Sequence, residues 1–280
     1  MPISATEEFI DHYTNIYHYA KNINTNKNIM FVKSRKEVKY FDKSKYDIIY
    51  CLPKIISQFL TCKTFIINKD YSIPTFREIC SVCKEGLWIE KPINGSCGLG
   101  ISILSSPTLW KKDKYILQKY ITPMLYDGYK FDIRVLVCYC SNSKRYILQD
   151  GIMRYASKKF DFDCDPARHI TNISYQKYLP TFCNVIDFPQ LLSRHIFYKK
   201  LMKQINKIIN DILNNVYSQC KFKKTNIFRI LGFDIMFDDK GKGYFIECNS
   251  TPDIFYETTI LREFINNNIY KLINYGIKNS

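Results

Sequence analysis

The sequence predicts a mixed α+β protein with mostly antiparallel strands. Segments rich in β-branched and aromatic residues crowd positions 87–155, two more such segments near the end flank an Asp-Asp-Lys-Gly turn, and helical periodicity is confined to a few stretches. A chain of 280 residues can bury a substantial core in one domain or in two to three small lobes. Hydrophobic residues at 46% and aromatics at 15% exclude a disordered chain. No apolar run approaches the roughly 20 residues that a membrane-spanning helix needs.

In chain order, residues 1–75 read as a small N-terminal lobe, with an amphipathic helix over 7–19 and short apolar runs at 47–52 and 64–68. A helix is expected over 74–85, opened by Pro74 and ended by Gly86. Strands follow at 87–91, 100–104, 115–121, 131–140 and 145–155. Residues 157–189 are polar and contain prolines, which suits a long loop, and 191–217 carry apolar residues at helical spacing. Strands at 227–237 and 243–248 are joined by the turn Asp238-Asp239-Lys240-Gly241, and a last helix covers 255–275. The expected units are residues 1–75, a central lobe over 76–122 and a C-terminal lobe over 123–280. Without repeats or low-complexity linkers, these lobes should pack tightly.

Lys plus Arg number 41 against 26 Asp plus Glu, a net charge of +15 that favours acidic partners. The basic residues are dispersed, so charge by itself does not choose among nucleic acid, acidic proteins and nucleotides. Residues 1–9 hold two acids and no basic residue, unlike a secretory signal, and the expected location is the cytoplasm. Eleven cysteines without a regular framework suit reduced thiols, and the Cys80/Cys83 pair reads as buried helix thiols rather than a metal or redox motif.

Three groups of residues carry chemistry. Asp234 lies on one of the two late strands, and Glu247 and Asn249 lie on the next at period two, so a hairpin gathers three oxygen-bearing side chains. That set suits Mg2+ completed by nucleotide phosphates. An acidic hairpin facing water is the alternative, but carboxylates inside otherwise apolar strands are costly unless compensated. Second, Trp88-Ile89-Glu90-Lys91-Pro92 runs into the Gly-rich stretch 94–100, where amides and one ammonium could approach phosphates; a plain hairpin turn would look the same. Third, Lys130, Asp132 and Arg134 share one face of a strand while Phe131, Ile133 and Val135 share the other, with Arg154 further on. A solvated sheet face with cross-strand ion pairing is the competing reading.

Taken together, Trp88-Ile89-x-Lys91-Pro92, Gly98-x-Gly100-Ile101, Gln118-Lys119-Tyr120-Ile121, the run from Asp127 to Arg134, His169-Ile170-Thr171-Asn172, Leu231-Gly232-Phe233-Asp234 and Glu247-x-Asn249-x-x-Pro252 resemble the tubulin-tyrosine-ligase-like family. The resemblance runs from about Gln58 to Asp253. It implies an ATP-grasp fold, with nucleotide held between two lobes. It implies Lys91 at the nucleotide phosphates, and Gln118, Lys119, Tyr120 and Ile121 around adenine. Lys130 and Asp132 would reach the nucleotide or acceptor, with Lys130 among the catalytic residues. Arg134 and Arg154 would neutralise the γ-phosphate and the carboxylate being activated. His169, Thr171 and Asn172 would line the site near ribose and phosphates, and Asp234, Glu247 and Asn249 would bind Mg2+.

The implied reaction makes an acyl phosphate from ATP and a protein carboxylate, which an amino acid's amine then converts to an amide, with no covalent enzyme intermediate. The expected partners are an acidic protein, tubulin C-terminal tails above all, and free glutamate, with neither nucleic acid nor a membrane, for a monomeric enzyme. Glutamate is favoured because the segments 127–135 and 150–156 look more like those of glutamylating members than of the tyrosinating one. Tyrosine or glycine transfer, an inactive nucleotide-binding scaffold and a nucleic-acid-binding protein remain as alternatives. There are departures from the family pattern: Cys97 stands where an Arg is common and Leu99 near the place of another basic residue. A further phosphate-contacting lysine is unassigned between Lys54 and Lys63. The implied family extension beyond the core is not matched, so the acceptor should be recognised by the core itself.

Overall fold

Charged and apolar residues alternate over the first half of Tyr129–Cys140 and the second half is apolar throughout, and this run forms the longest strand among the described residues, with different company on its two sides. In the computed structural model, the described residues are 3–5, 29–32, 48–51, 86–92, 98–105, 115–140, 142–177, 179, 191–219, 227–249, 252 and 259–279. The strands are β1 Ile3–Ala5, β2 Ile29–Val32, β3 Ile48–Cys51, β4 Trp88–Pro92, β5 Ser102–Leu104, β6 Tyr115–Lys119, β7 Leu125–Tyr126, β8 Tyr129–Cys140, β9 Arg145–Ile147, β10 Ile152–Tyr155, β11 Ile227–Phe237 and β12 Gly243–Asn249. The helices are α1 Ile173–Gln176, α2 Tyr198–Gln219 and α3 Thr259–Asn279.

A three-stranded sheet has the order β5-β4-β6, and a nine-stranded sheet is built around β3-β11-β8-β10. Among the described strands the pairings of β4 to β12 with one another are all antiparallel, whereas β1, β2 and β3 pair in parallel and join the large sheet where β3 meets Ile227 and Phe228 of β11. The N-terminal strands thus share their sheet with the C-terminal ones. The fold class is α+β, as the residue patterns lead one to expect.

Period two sends Phe131, Ile133, Val135 and Val137 of β8 to one face, where they meet Leu201, Ile205, Ile208, Ile209 and Ile212 of α2 in one core. These helical positions recur at spacings of three and four, so a single stripe of α2 is apolar, and each fully buried aliphatic side chain contributes about 2 kcal/mol. On the other face, Leu136, Cys138 and Cys140 meet Leu261, Ile265, Ile269, Leu272 and Ile273 of α3 in a second core. Gly276 lets α3 press onto Phe228, since a Cβ there would lie 2.3 Å from that ring. The rest of the same face of β8 presents Lys130, Asp132 and Arg134. The position of α3 therefore divides one strand face into a core half and a charged half.

Several boundaries differ from the sequence reading. The stretch 145–155 is two strands, not one, because the chain bulges at 148–151 while both pieces stay paired with β8. Gly151 sits where a Cβ would lie 2.7 Å from Ile133, so the bulge presses tightly onto the sheet. The expected loop 157–189 contains a turn of 3-10 helix, Pro166–Arg168, and the short α1. Pairing of β11 with β12 shifts register after Asp234, so Phe245 and Cys248 enter the core where strict alternation would send Ile246 and Cys248. The expected helices over 7–19 and 74–85, the runs at 47–52 and 64–68 apart from β3, and Lys54, Lys63, Cys80, Cys83 and Cys97 lie outside the described residues.

Candidate active site

The charged half of β8 meets its partners by register. Arg134 lies opposite Asp234 of β11 and opposite Ile152 of β10, and Asp132 lies opposite Arg154 of β10. Asp234 in turn lies opposite Glu247 of β12. Pairing of four neighbouring strands thus collects Asp132, Arg134, Arg154, Asp234 and Glu247 before any side chain is oriented.

The side chains then form a linked network. Arg134 forks onto Asp234, with Nε on Oδ1 and a second bond from a terminal nitrogen to Oδ2 at 2.9 Å. Arg154 forks onto Asp132 at 2.7 and 2.6 Å, and it also reaches Asp234 Oδ2 at 2.9 Å. Thr171 donates to Asp132 Oδ2 at 2.7 Å. The cross-strand ion pairing that a solvated sheet face would also show is present, but Asp132, Arg134, Arg154 and Asp234 are all buried. Burying these charges is costly unless each is paired and bonded, and the planar forks of Arg meet that demand. Burial works to raise the Asp234 carboxyl, yet Arg134 and Arg154 hold it down at about 2. Gly232 is part of the same construction: a Cβ there would lie 2.9 Å from Arg134 Cδ and 2.7 Å from Pro252 Cβ.

Glu247 and Asn249 are half-buried, at the end of the network that opens towards solvent. Asn249 Nδ2 donates to Glu247 Oε1 at 2.9 Å and to Asp234 Oδ2 at 3.3 Å, so the amide bridges the two carboxylates. Burial and the charge of Asp234 push the Glu247 carboxyl up. Two carboxylates side by side in a buried setting, with an amide that can present its carbonyl oxygen after a half-turn, form a hard oxygen set of the kind Mg2+ accepts. The residues present therefore fit that ion.

A second chain of contacts ties the smaller sheet to the network. Tyr120, just beyond β6, is buried, and its hydroxyl bonds to His169 Nδ1 at 2.7 Å and receives Lys130 Nζ at 3.2 Å. The Lys130 ammonium also sits 4.7 Å from the Tyr120 ring centroid, and Phe160 stacks on that ring. His169 Nε2 bonds to the Asp163 carbonyl at 2.8 Å. Burial pulls the Lys130 ammonium down to about 8, against the opposing pull of Asp132. Burial, then the Lys130 charge, lower His169, which Asp163 partly offsets.

The sequence-derived residues divide into those the structure gathers and those it holds elsewhere. Lys130, Asp132, Arg134, Arg154, Asp234, Glu247, Asn249, Tyr120, His169 and Thr171 meet in one network. Asn172 caps α1, its Oδ1 accepting from the Ser174 and Tyr175 amides at 2.9 and 3.3 Å. Lys91 and Gln118 share one half-buried face of the smaller sheet, since Ile89 lies opposite Gln118, while Lys119 is exposed and Ile121 half-buried. The glycine turn closes against the His169–Asn172 segment, where a Cβ on Gly98 would lie 3.4 Å from Asn172 Cβ and 3.0 Å from Tyr175 Cβ. Sequence reasoning missed Gln176, which is buried and donates to the Tyr155 and Ile170 carbonyls, the latter at 2.7 Å. It thereby ties the residue before Thr171 to the end of β10. A Gln in a polar stretch gave no signal of this.

A smaller antiparallel sheet joined by Tyr120 to a larger one that carries paired arginines and a carboxylate hairpin is an ATP-grasp arrangement, a fold that in general employs ATP and Mg2+. A model of the Tubulin-tyrosine ligase family matches residues 4–280, and the chain belongs to that family. Relatives include the probable tubulin polyglutamylase TTLL2 of Homo sapiens, 29% identical over 243 residues, covering 77% of this chain and 41% of the relative. The corresponding protein of Mus musculus is 32% identical over 213 residues, covering 68% of this chain and 39% of the relative. A probable beta-tubulin polyglutamylase of Tetrahymena thermophila is 28% identical over 232 residues, covering 71% and 19%. The chain thus spans about two fifths of the length of the two mammalian relatives.

Proposed function

We propose that this protein is an ATP-dependent ligase that adds glutamate to glutamate side-chain carboxylates of an acidic protein, tubulin C-terminal tails being the favoured acceptor. The observation that carries the reading is the gathering of Lys130, Arg134 and Arg154 with Asp132, Asp234 and Glu247 across four neighbouring strands of one sheet. Three cations and three carboxylates balance formally, so the arrangement can take up phosphate charge without a large uncompensated field. The names of the relatives as polyglutamylases support the choice of glutamate and of tubulin.

In this reading Asp234, Glu247 and Asn249 hold Mg2+, which when bound neutralises phosphate oxygens of ATP. Arg134 and Arg154 are oriented by Asp234 and Asp132, so their guanidinium groups are held in place before substrate arrives. They stabilise charge on the transferring phosphoryl group and on the acceptor carboxylate. The acceptor carboxylate takes the γ-phosphoryl group and ADP leaves; the donor amine then forms an amide, releasing phosphate and a proton. Lys130, held by Tyr120, supplies a cation close to the phosphates, and Lys91, Gln118, Lys119, Tyr120 and Ile121 enclose the nucleotide. His169 and Thr171 position Tyr120 and Asp132, with the cap at Asn172 fixing the segment that carries them. Cytoplasmic, monomeric action goes with this proposal.

Mass spectrometry of tubulin incubated with the protein, ATP, Mg2+ and a mixture of amino acids tests it. Glutamate added to tail glutamates, only when ATP is present, is the expected result. Tyrosine or glycine in its place overturns the donor assignment, and no addition of any kind overturns the ligase.

A further inference from the structure

The turn that leads into α2 exposes two large apolar side chains, Ile196 at 87% and Phe197 at 51%. Directly after them, Lys199, Lys200, Lys203 and Lys207 line the solvent side of α2, opposite its buried stripe. No Asp or Glu occurs between Asp187 and Asp211, so the first turns of this face carry cations without interspersed acids, and Asp211 follows one turn after Lys207. The patch continues onto the β11–β12 turn: Gln204 bonds to the Gly241 carbonyl at 2.8 Å, and a Cβ on Gly241 would lie 3.5 Å from Lys200 Nζ. Lys240 and Lys242 of that turn are exposed too, beside the exposed Asp239. No acid occupies the first turn of α2, where cations run against the helix dipole, so helix stability is not what these lysines serve.

Surfaces that combine an exposed apolar pair with a largely cationic surround are built for a partner rather than for water. Position decides what the partner can be. The α2 helix packs on the face of β8 that bears Phe131, Ile133 and Val135, whereas the charged network lies on the opposite face. A carboxylate bound at Arg134 and Arg154 therefore cannot also touch the α2 lysines. We propose that this surface docks an acidic face on the folded body of the acceptor protein, while the acceptor's tail reaches around the sheet edge to the charged network. The inference rests on the ligase reading for the identity of the acceptor. Two-point attachment of this kind raises the effective concentration of the tail at the site without altering the chemical step, and the lysines add long-range attraction.

The test compares wild type with a Lys199→Glu/Lys203→Glu variant and an Ile196→Ser/Phe197→Ser variant, on intact tubulin and on a synthetic peptide of its acidic tail. All four positions are exposed, and Glu in the first turns of a helix favours folding. The expected result is a KM for intact tubulin raised about tenfold with kcat nearly unchanged, and unaltered kinetics on the peptide. Equal losses on both substrates, or no change on either, overturn the docking surface. Fluorescence anisotropy with labelled tubulin separates the two proposals: binding weakened by the variants, with no ligation by any of the proteins, supports docking and refutes the ligase. Wild-type binding to phosphatidylserine vesicles that is stronger than to tubulin and is lost in the variants assigns the surface to a membrane and overturns it.

Discussion

Half-buried Glu247 and buried Lys130 are two charges whose surroundings oppose ionisation for different reasons. For Glu247 the causes are burial and the adjacent Asp234. Replacing it by Gln keeps shape and removes the repulsion, so Glu247→Gln should fold with a melting temperature at or above that of wild type, yet lose ligation altogether because Mg2+ loses an anionic ligand. Turnover near wild type by the folded variant contradicts the metal assignment. For Lys130 the consequence is a pH dependence. Its pKa falls from 10.5 in the unfolded chain to about 8 in the fold, so between these values the unfolded chain binds more protons and stability rises with pH. Below about 8 both states are protonated and the cost of burying the charge is present in full. Lys130→Met should therefore be more stable than wild type at pH 7, by up to about 3 kcal/mol, with the difference shrinking as pH climbs towards 10. Denaturant unfolding of the two proteins across that range measures it, and a difference independent of pH contradicts the assignment. The same variant should bind ATP more weakly.

At the level of single elements, the close approach of β11 to Arg134 makes Gly232 a test of positioning. Gly232→Ala forces either Arg134 or Pro252 to move, which should cost about 1–3 kcal/mol of stability and lower kcat more than it raises KM for ATP. Activity equal to wild type would show that Arg134 needs no such support. Elements also show what could be read in advance. The alternation of Lys130, Asp132 and Arg134 with Phe131, Ile133 and Val135 is a local property, and it gave the two faces of β8 correctly. That α3 covers only the Leu136–Cys140 end of the charged face depends on contacts across more than a hundred residues, which no local pattern encodes. Likewise, the residue types at 234, 247 and 249 announced a hairpin site, but the register shift that turns Ile246 away from the core arises from pairing between strands. The capping by Asn172 could not be read in advance because its partner amides belong to a four-residue helix, too short to leave a periodic signal. The break between β9 and β10 was hidden because 145–155 is uniformly rich in strand formers, with Asp150-Gly151 as the sole mark of the bulge.

For the whole molecule, a net charge of +15 sets long-range behaviour, whereas the charged network is formally balanced. Affinity for an acidic acceptor should fall steeply with added salt, and affinity for ATP far less, because the Debye length shortens from about 10 Å at 0.1 M to about 3 Å at 1 M. Binding of acceptor that is unchanged across that range contradicts electrostatic capture. The chemistry joins these scales, for arginines preset by Asp132 and Asp234 are useful only if a carboxylate is activated between them. The most direct measurement uses an acceptor whose side-chain carboxylates carry heavy oxygen. If the carboxylate attacks the γ-phosphate, each amide formed transfers one labelled oxygen to the released phosphate, and the product carries one more glutamate. Phosphate released without label, or ATP consumed with no new amide on the acceptor, contradicts the account.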